Sequence, residues 1–215
     1  MWIKICGIRD VPTALSVAEL RPNAIGLVFY EQSPRCVSED AAAMIAAQLP
    51  DDVEPIALFV NATADRILDV CRSCGIRTVQ LHGDEPPEFA RSLSGLQVIR
   101  AFRLGEGELP SVAADLEQYK MLGVSLRACL IDSRVDDAYG GTGHTAPWEA
   151  LSSGWQADWP PLILAGGLQP ANVDEAVSAV RPWGIDVSSG VESSPGVKDL
   201  DRVAEFIANA RRTDL

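Results

Sequence analysis

An α/β fold, a single-domain (β/α)8 TIM barrel, is what this sequence predicts, and three observations carry the prediction. The chain has 215 residues, a length at which an α/β barrel closes around one core. Short β-branched apolar runs alternate about eight times with longer stretches of helical period, with no linker between them. The glycine-rich turns fall late, "GGTG" at 140–143, "AGG" at 165–167 and "SSG" at 188–190, where a barrel of this kind places a phosphate site. A doubly wound open sheet would carry its glycine fingerprint after the first strand. That position holds "CGIRD", with one glycine.

The elements follow in order. The first strand is Trp2 to Cys6, with Trp2, Lys4 and Cys6 on the inward parity and Ile3 and Ile5 facing the helices. Ala24 to Val28 is the second strand, and "SED" at 38–40 opens a helix over Ser38 to Leu49 with a capping serine. Pro55 to Val60 is the third, followed by "NATAD" at 61–65 as the entry to a helix over Thr63 to Cys74. Thr78 to His82 and Gln97 to Phe102 are the fourth and fifth, and Leu109 to Met121 is helical. Ala128 to Asp132 is the sixth strand, Leu162 to Ala165 the seventh and Gly184 to Val187 the eighth, with a helix over Pro170 to Val180 between the last two.

Charge limits the partners. With 18 Lys and Arg against 30 Asp and Glu, the net charge is −12, which opposes binding to a polyanion. Nucleic acid and anionic membranes are therefore excluded as partners. Any small anionic ligand must be held by local donors against an unfavourable overall field. The five cysteines form no regular framework and no charged-then-apolar leader precedes them, so a reducing, cytoplasmic compartment is expected. No apolar run approaches the ~20 residues that cross a bilayer, and a soluble protein is expected.

The chemistry-bearing residues sort by parity. Cys6 is the last inward residue of its strand, at the rim where barrel active sites lie; elsewhere in a fold a lone cysteine is a small buried hydrophobe. Asp132 ends the sixth strand inward at the same rim. A thiolate base and a carboxylic acid at one mouth suit proton transfer at two places. Gly166 and Gly167 let backbone approach a phosphate, and Ser188, Ser189 and Gly190 add amides and hydroxyls at a short helical turn. Arg35, in "SPRC" after the second strand, is placed to clamp a carboxylate. His82 ends the fourth strand inward and lines the site. Cys129 has the helix-facing parity of a core residue, and "CRSC" at 71–74 ends a helix, so its thiols are buried rather than redox-active. His82 and His144 with no third ligand argue against zinc. Lys4, read as the only lysine within a strand, lies one layer beneath Cys6 and pairs with inward Asp186.

Taken together, these motifs resemble the phosphoribosylanthranilate isomerase family nearly end to end. They are "KICGI" at 4–8, "GLVFYEQSPRCV" at 26–37, "LFVN" at 58–61, "VQLHGDE" at 79–85, "LIDS" then "YGGTG", "LAGGLQPANV", and "GIDVSSGVESSPGVKD" at 184–199. The resemblance implies a single catalytic domain over 1–215 and an Amadori rearrangement of N-(5-phosphoribosyl)anthranilate without metal or organic cofactor. It implies Asp132 as the acid that opens the furanose, Cys6 as the base at C2, Arg35 on the anthranilate carboxylate and the late turns on the phosphate. The implied partner is a small phosphorylated substrate, and the implied assembly a monomer or homodimer. Ala146 and Pro147 depart from the family, which has an aromatic residue and an aspartate before the tryptophan that is Trp148 here. Two rivals are a non-catalytic phosphate-ligand barrel, which would need neither Cys6 nor Asp132, and a sister enzyme such as indole-glycerol-phosphate synthase. The latter calls for catalytic lysines on inner strands, where Lys4 stands alone.

Overall fold

A computed structural model describes residues 1–104, 108–132 and 148–212. Its strands are β1 (Trp2–Cys6), β2 (Ala24–Val28), β3 (Glu54–Phe59), β4 (Thr78–Leu81), β5 (Gln97–Arg103), β6 (Ala128–Asp132), β7 (Leu162–Ala165) and β8 (Gly184–Val187). They pair in chain order, all parallel, and the barrel closes where β8 meets β1 with Lys4 opposite Asp186. The helices outside are α1 (Val11–Glu19), α2 (Glu39–Gln48), α3 (Ala64–Cys74), α4 (Leu109–Met121), α5 (Trp148–Gly154), α6 (Val173–Val180) and α7 (Leu200–Arg212). A short antiparallel hairpin, β9 (Glu192–Ser194) and β10 (Val197–Lys198), follows β8.

The expected helix entries are built as caps. Ser38 Oγ accepts from the Ala41 amide at 3.2 Å and Thr63 Oγ1 from the Arg66 amide at 3.3 Å, each satisfying a donor that the first helical turn leaves open. One segment carried no expectation from the sequence, and another begins later than expected. Between β4 and β5 the chain forms a 3₁₀ segment, Pro87–Leu93, entered through Pro86 and Pro87, whose missing N–H groups cost nothing in a first turn, and the link is short. The helix expected from Pro170 begins at Val173, because Asn172 folds back: its Oδ1 accepts from the Gln169 amide at 2.8 Å and its Nδ2 donates to the Gly167 carbonyl at 3.1 Å.

Strand parity divides the core. Inside the barrel, Ala24, Ala101, Ala128 and Ala165 interleave with Ile56, Ile99, Leu130 and Ile163, the small and large side chains that fill a barrel of this size. Outside, Ile3, Ile5, Leu27, Cys129 and Ile131 pack under the helices with Cys71 and Cys74 of α3. On α7 the spacing of Val203, Phe206, Ile207 and Ala210 presents one buried stripe, and each large side chain in it contributes about 1.5–3 kcal/mol by burial. At the C-terminal ends of the strands the inner layer thins to Cys6, Val28 and Leu58, and the barrel opens. No described helix is long and apolar enough to cross a membrane.

Candidate active site

The opening is a cavity of about 390 Å³. Cys6, Arg35, His82, Asp132, Gly166, Gly167, Ser188, Ser189 and Gly190 all line it. The turn "GGTG", His144 and the Ala146–Pro147 departure lie outside the described residues.

Cys6 is 5 % exposed and Lys4, one inward layer below, is fully buried with Nζ 2.9 Å from Asp186 Oδ1. Opposite Cys6 in the register stands Gly26. A Cβ there would fall 2.6 Å from Cys6 Sγ and 3.1 Å from Lys4 Cε, so the missing side chain is the space in which thiol and lysine meet. Burial pushes the Cys6 thiol above its ordinary value; Lys4 opposes, Asp186 adds, Lys198 opposes, and burial prevails. Burial pulls the Lys4 ammonium down, but Asp186 and Cys6 outweigh it and hold it above its ordinary value.

Across the mouth, Asp132 Oδ2 is 3.6 Å from His82 Nε2. His82 stands one residue past the end of β4, and its Nδ1 is 2.8 Å from Gln80 Nε2. With the amide as the donor, the ring proton sits on Nε2, toward Asp132. Asp132 Oδ1 and Gln80 Oε1 are buried and have no hydrogen-bond partner among the described residues. An unsatisfied buried acceptor costs about 1–3 kcal/mol, which a ligand donor in the cavity would recover.

Gly166 and Gly167 have φ of 84° and 65°, a region closed to most side chains, and turn the chain back after β7. After β8 the 3₁₀ turn Ser189–Val191 packs so tightly that a Cβ on Gly190 would lie 1.9 Å from the Leu168 carbonyl oxygen. The two turns thus form one surface. The Ser188 hydroxyl donates to the Cys6 carbonyl at 3.1 Å, so it braces β1 in addition to facing the cavity.

Arg35 does not stand with a free fork. Its Nε and Nη2 donate to Glu192 Oε1 and Oε2 at 2.8 and 2.6 Å, because a guanidinium this enclosed needs a counter-charge. Lys198 also binds Glu192, Nζ to Oε1 at 2.7 Å, and donates to the Ser188 carbonyl at 3.0 Å. Burial raises Glu192, but Arg35 and Lys198 outweigh it and hold the carboxyl below its ordinary value. Burial likewise draws Lys198 below the usual lysine range against the pull of Glu192. Sequence reasoning missed both residues. It also took Lys4 as the only lysine in a strand, whereas Lys198 lies in β10 and its charge reaches Cys6; a two-residue strand has no period to read. Gln80, two residues before His82 on the same strand parity, was missed as well. Among the described residues no three His, Cys, Asp or Glu side chains are grouped to hold a metal ion.

The chain is similar to known proteins over nearly its whole length. Residues 3–209 match the family model described as N-(5'phosphoribosyl)anthranilate (PRA) isomerase. The chain is 43 % identical to N-(5'-phosphoribosyl)anthranilate isomerase of Trichlorobacter lovleyi, over 97 % of each chain. Among solved structures it is similar to phosphoribosyl anthranilate isomerase from Thermotoga maritima, with a TM-score of 0.87, 36 % identity and 99 % of each chain covered. It is also similar to a phosphoribosyl anthranilate isomerase solved in complex with reduced 1-(o-carboxyphenylamino)-1-deoxyribulose 5-phosphate, with a TM-score of 0.84, 34 % identity and 99 % of each chain covered.

Proposed function

The chain belongs to the N-(5'-phosphoribosyl)anthranilate isomerase family and is that isomerase of tryptophan biosynthesis; from this we propose that Asp132 and Cys6 are its acid and base, and that residues 1–215 work as one catalytic domain. The reaction turns N-(5'-phosphoribosyl)anthranilate into 1-(2-carboxyphenylamino)-1-deoxyribulose 5-phosphate by general acid/base catalysis. The observation that carries the assignment is that Cys6 and Asp132 line one cavity while Asp132 Oδ1 lacks a partner among the described residues.

Asp132 gives its proton to the furanose ring oxygen. The C1–O bond breaks and the nitrogen lone pair forms C1=N⁺, the Schiff base. The Cys6 thiolate then takes the proton from C2. That electron pair becomes C1=C2, and the C=N⁺ pair returns to nitrogen. The resulting enol loses its hydroxyl proton as C1 gains one, which leaves the ketone. Lys4 stabilises the thiolate from below, and His82 orients Asp132. The turns at Gly166–Gly167 and Ser188–Gly190 hold the phosphate through amides, and the outer edge of Arg35 meets the ring carboxylate. The reading takes a small phosphorylated substrate and no organic cofactor or metal. It excludes nucleic acid and membrane partners on charge, and it places the enzyme in the cytoplasm as a monomer or homodimer. Freshly prepared substrate mixed with purified protein should show its anthranilate fluorescence change with catalytic turnover; no acceleration over buffer would refute the reading.

A further inference from the structure

We propose that Glu192 is the positioning residue that makes the site specific for a ligand bearing both a phosphate and a carboxylate, by fixing Arg35 and tying it to the phosphate turn. This rests on the reading above that Arg35 meets the substrate carboxylate. The Glu192 side chain is 3 % exposed and holds the Nε/Nη2 edge of Arg35 in two bonds of 2.8 and 2.6 Å. A guanidinium carries five donors, and no described residue accepts from Nη1, so the remaining edge is the one available to the cavity that Arg35 lines. An unpaired arginine would sample many rotamers; one clamped at its inner edge is set before the ligand arrives.

Glu192 follows the 3₁₀ turn Ser189–Val191 without a break, so the residue that grips Arg35 also ends the turn assigned to the phosphate. Its backbone is pinned as well, the carbonyl accepting from Arg202 Nη1 at 2.9 Å. Lys198, whose side chain is 1 % exposed, bridges the Glu192 carboxylate and the Ser188 carbonyl. Arg35, Lys198 and Glu192 together carry one net positive charge, two cations against one carboxylate. A ligand carboxylate brings that cluster to neutrality inside a protein of net charge −12. A ligand without it leaves the charge uncompensated.

The test is the affinity of two reduced product analogues, one with and one without the ring carboxylate, for wild type, Glu192→Gln, Glu192→Asp and Arg35→Ala. Glu192→Gln should weaken the carboxylate analogue by about tenfold or more and leave the carboxylate-free one nearly unchanged, with KM raised and kcat largely kept. Glu192→Asp keeps the charge but withdraws it by one methylene, and should fall between. If the glutamine variant, left with the buried Lys198 and the part-buried Arg35 uncompensated, does not fold by thermal melting, the aspartate variant carries the same comparison. Equal loss for both analogues would reduce Glu192 to a support of the turn, and tighter binding of the carboxylate analogue would make it a competitor for Arg35; either overturns the proposal. Arg35→Ala separates the two layers. If it discriminates between the analogues and the Glu192 variants do not, the positioning role fails and the Arg35 assignment stands; if it does not discriminate, both fall.

Discussion

A thiol can act as a base only in its ionised form, and Cys6 is buried where ionisation is opposed by desolvation and helped by the ammonium of Lys4. Because the neutral form is favoured, alkylation of Cys6, followed on its own peptide by mass spectrometry, should rise with pH toward a midpoint above the ordinary 9.0. A midpoint near neutrality would mean that Lys4 outweighs burial. Serine keeps the shape of cysteine and cannot supply the anion, so Cys6→Ser should lower kcat by ~10²-fold or more with the fold unchanged. Asp132→Asn is nearly isosteric and has no acidic proton, so it should lower kcat similarly while affinity for a product analogue changes little. A variant that loses affinity and keeps kcat would make Asp132 a binding residue. At this scale Cys6, Asp132 and Lys4 were legible because strand parity alone puts them inside. Glu192 was not, since a glutamate after a serine-glycine turn reads as solvated, and its burial is decided by cations at positions 35 and 198, brought to it by the fold.

Two turns that touch make the proposed phosphate grip, and the contact has a steric signature. Adding one methyl group at Gly190 would press on the backbone oxygen of Leu168, an atom that cannot rotate away. Gly190→Ala should therefore separate the turn after β8 from the turn after β7. The expected result is about 1–3 kcal/mol of lost stability by denaturant unfolding and weaker inhibition by inorganic phosphate. Unchanged phosphate inhibition would show that the amides there do not bind it. The strands were readable because β-branched runs recur with turn residues between them, and the helix entries because Ser38 and Thr63 cap them. The 3₁₀ link from Pro87 and the hairpin holding Lys198 were not. The 3₁₀ link is a short span with no sustained apolar period, and the hairpin is too short to show one.

Across the molecule, the long-range field of a −12 protein repels a substrate with two anionic groups, while the donors that hold it are local. Raising ionic strength with a salt that carries no phosphate or sulfate should screen the first more than the second, so kcat/KM should rise from about 10 to 150 mM salt. A steady fall would show that the mouth's own positive cluster dominates the approach. The closure of the barrel has a different consequence, one that belongs to the making of the chain. The bonds that enclose the thiol, Lys4 to Asp186 and Ser188 to the Cys6 carbonyl, each span 182 residues. At ~5–20 residues per second a ribosome needs roughly 10–40 s to cover that distance. Throughout that interval β1 has β2 to pair with but no β8, so Lys4 lacks Asp186 and the Cys6 carbonyl lacks Ser188. The charge setting of this thiol is therefore among the last features of the molecule to be assembled, complete only when β8 takes its place beside β1.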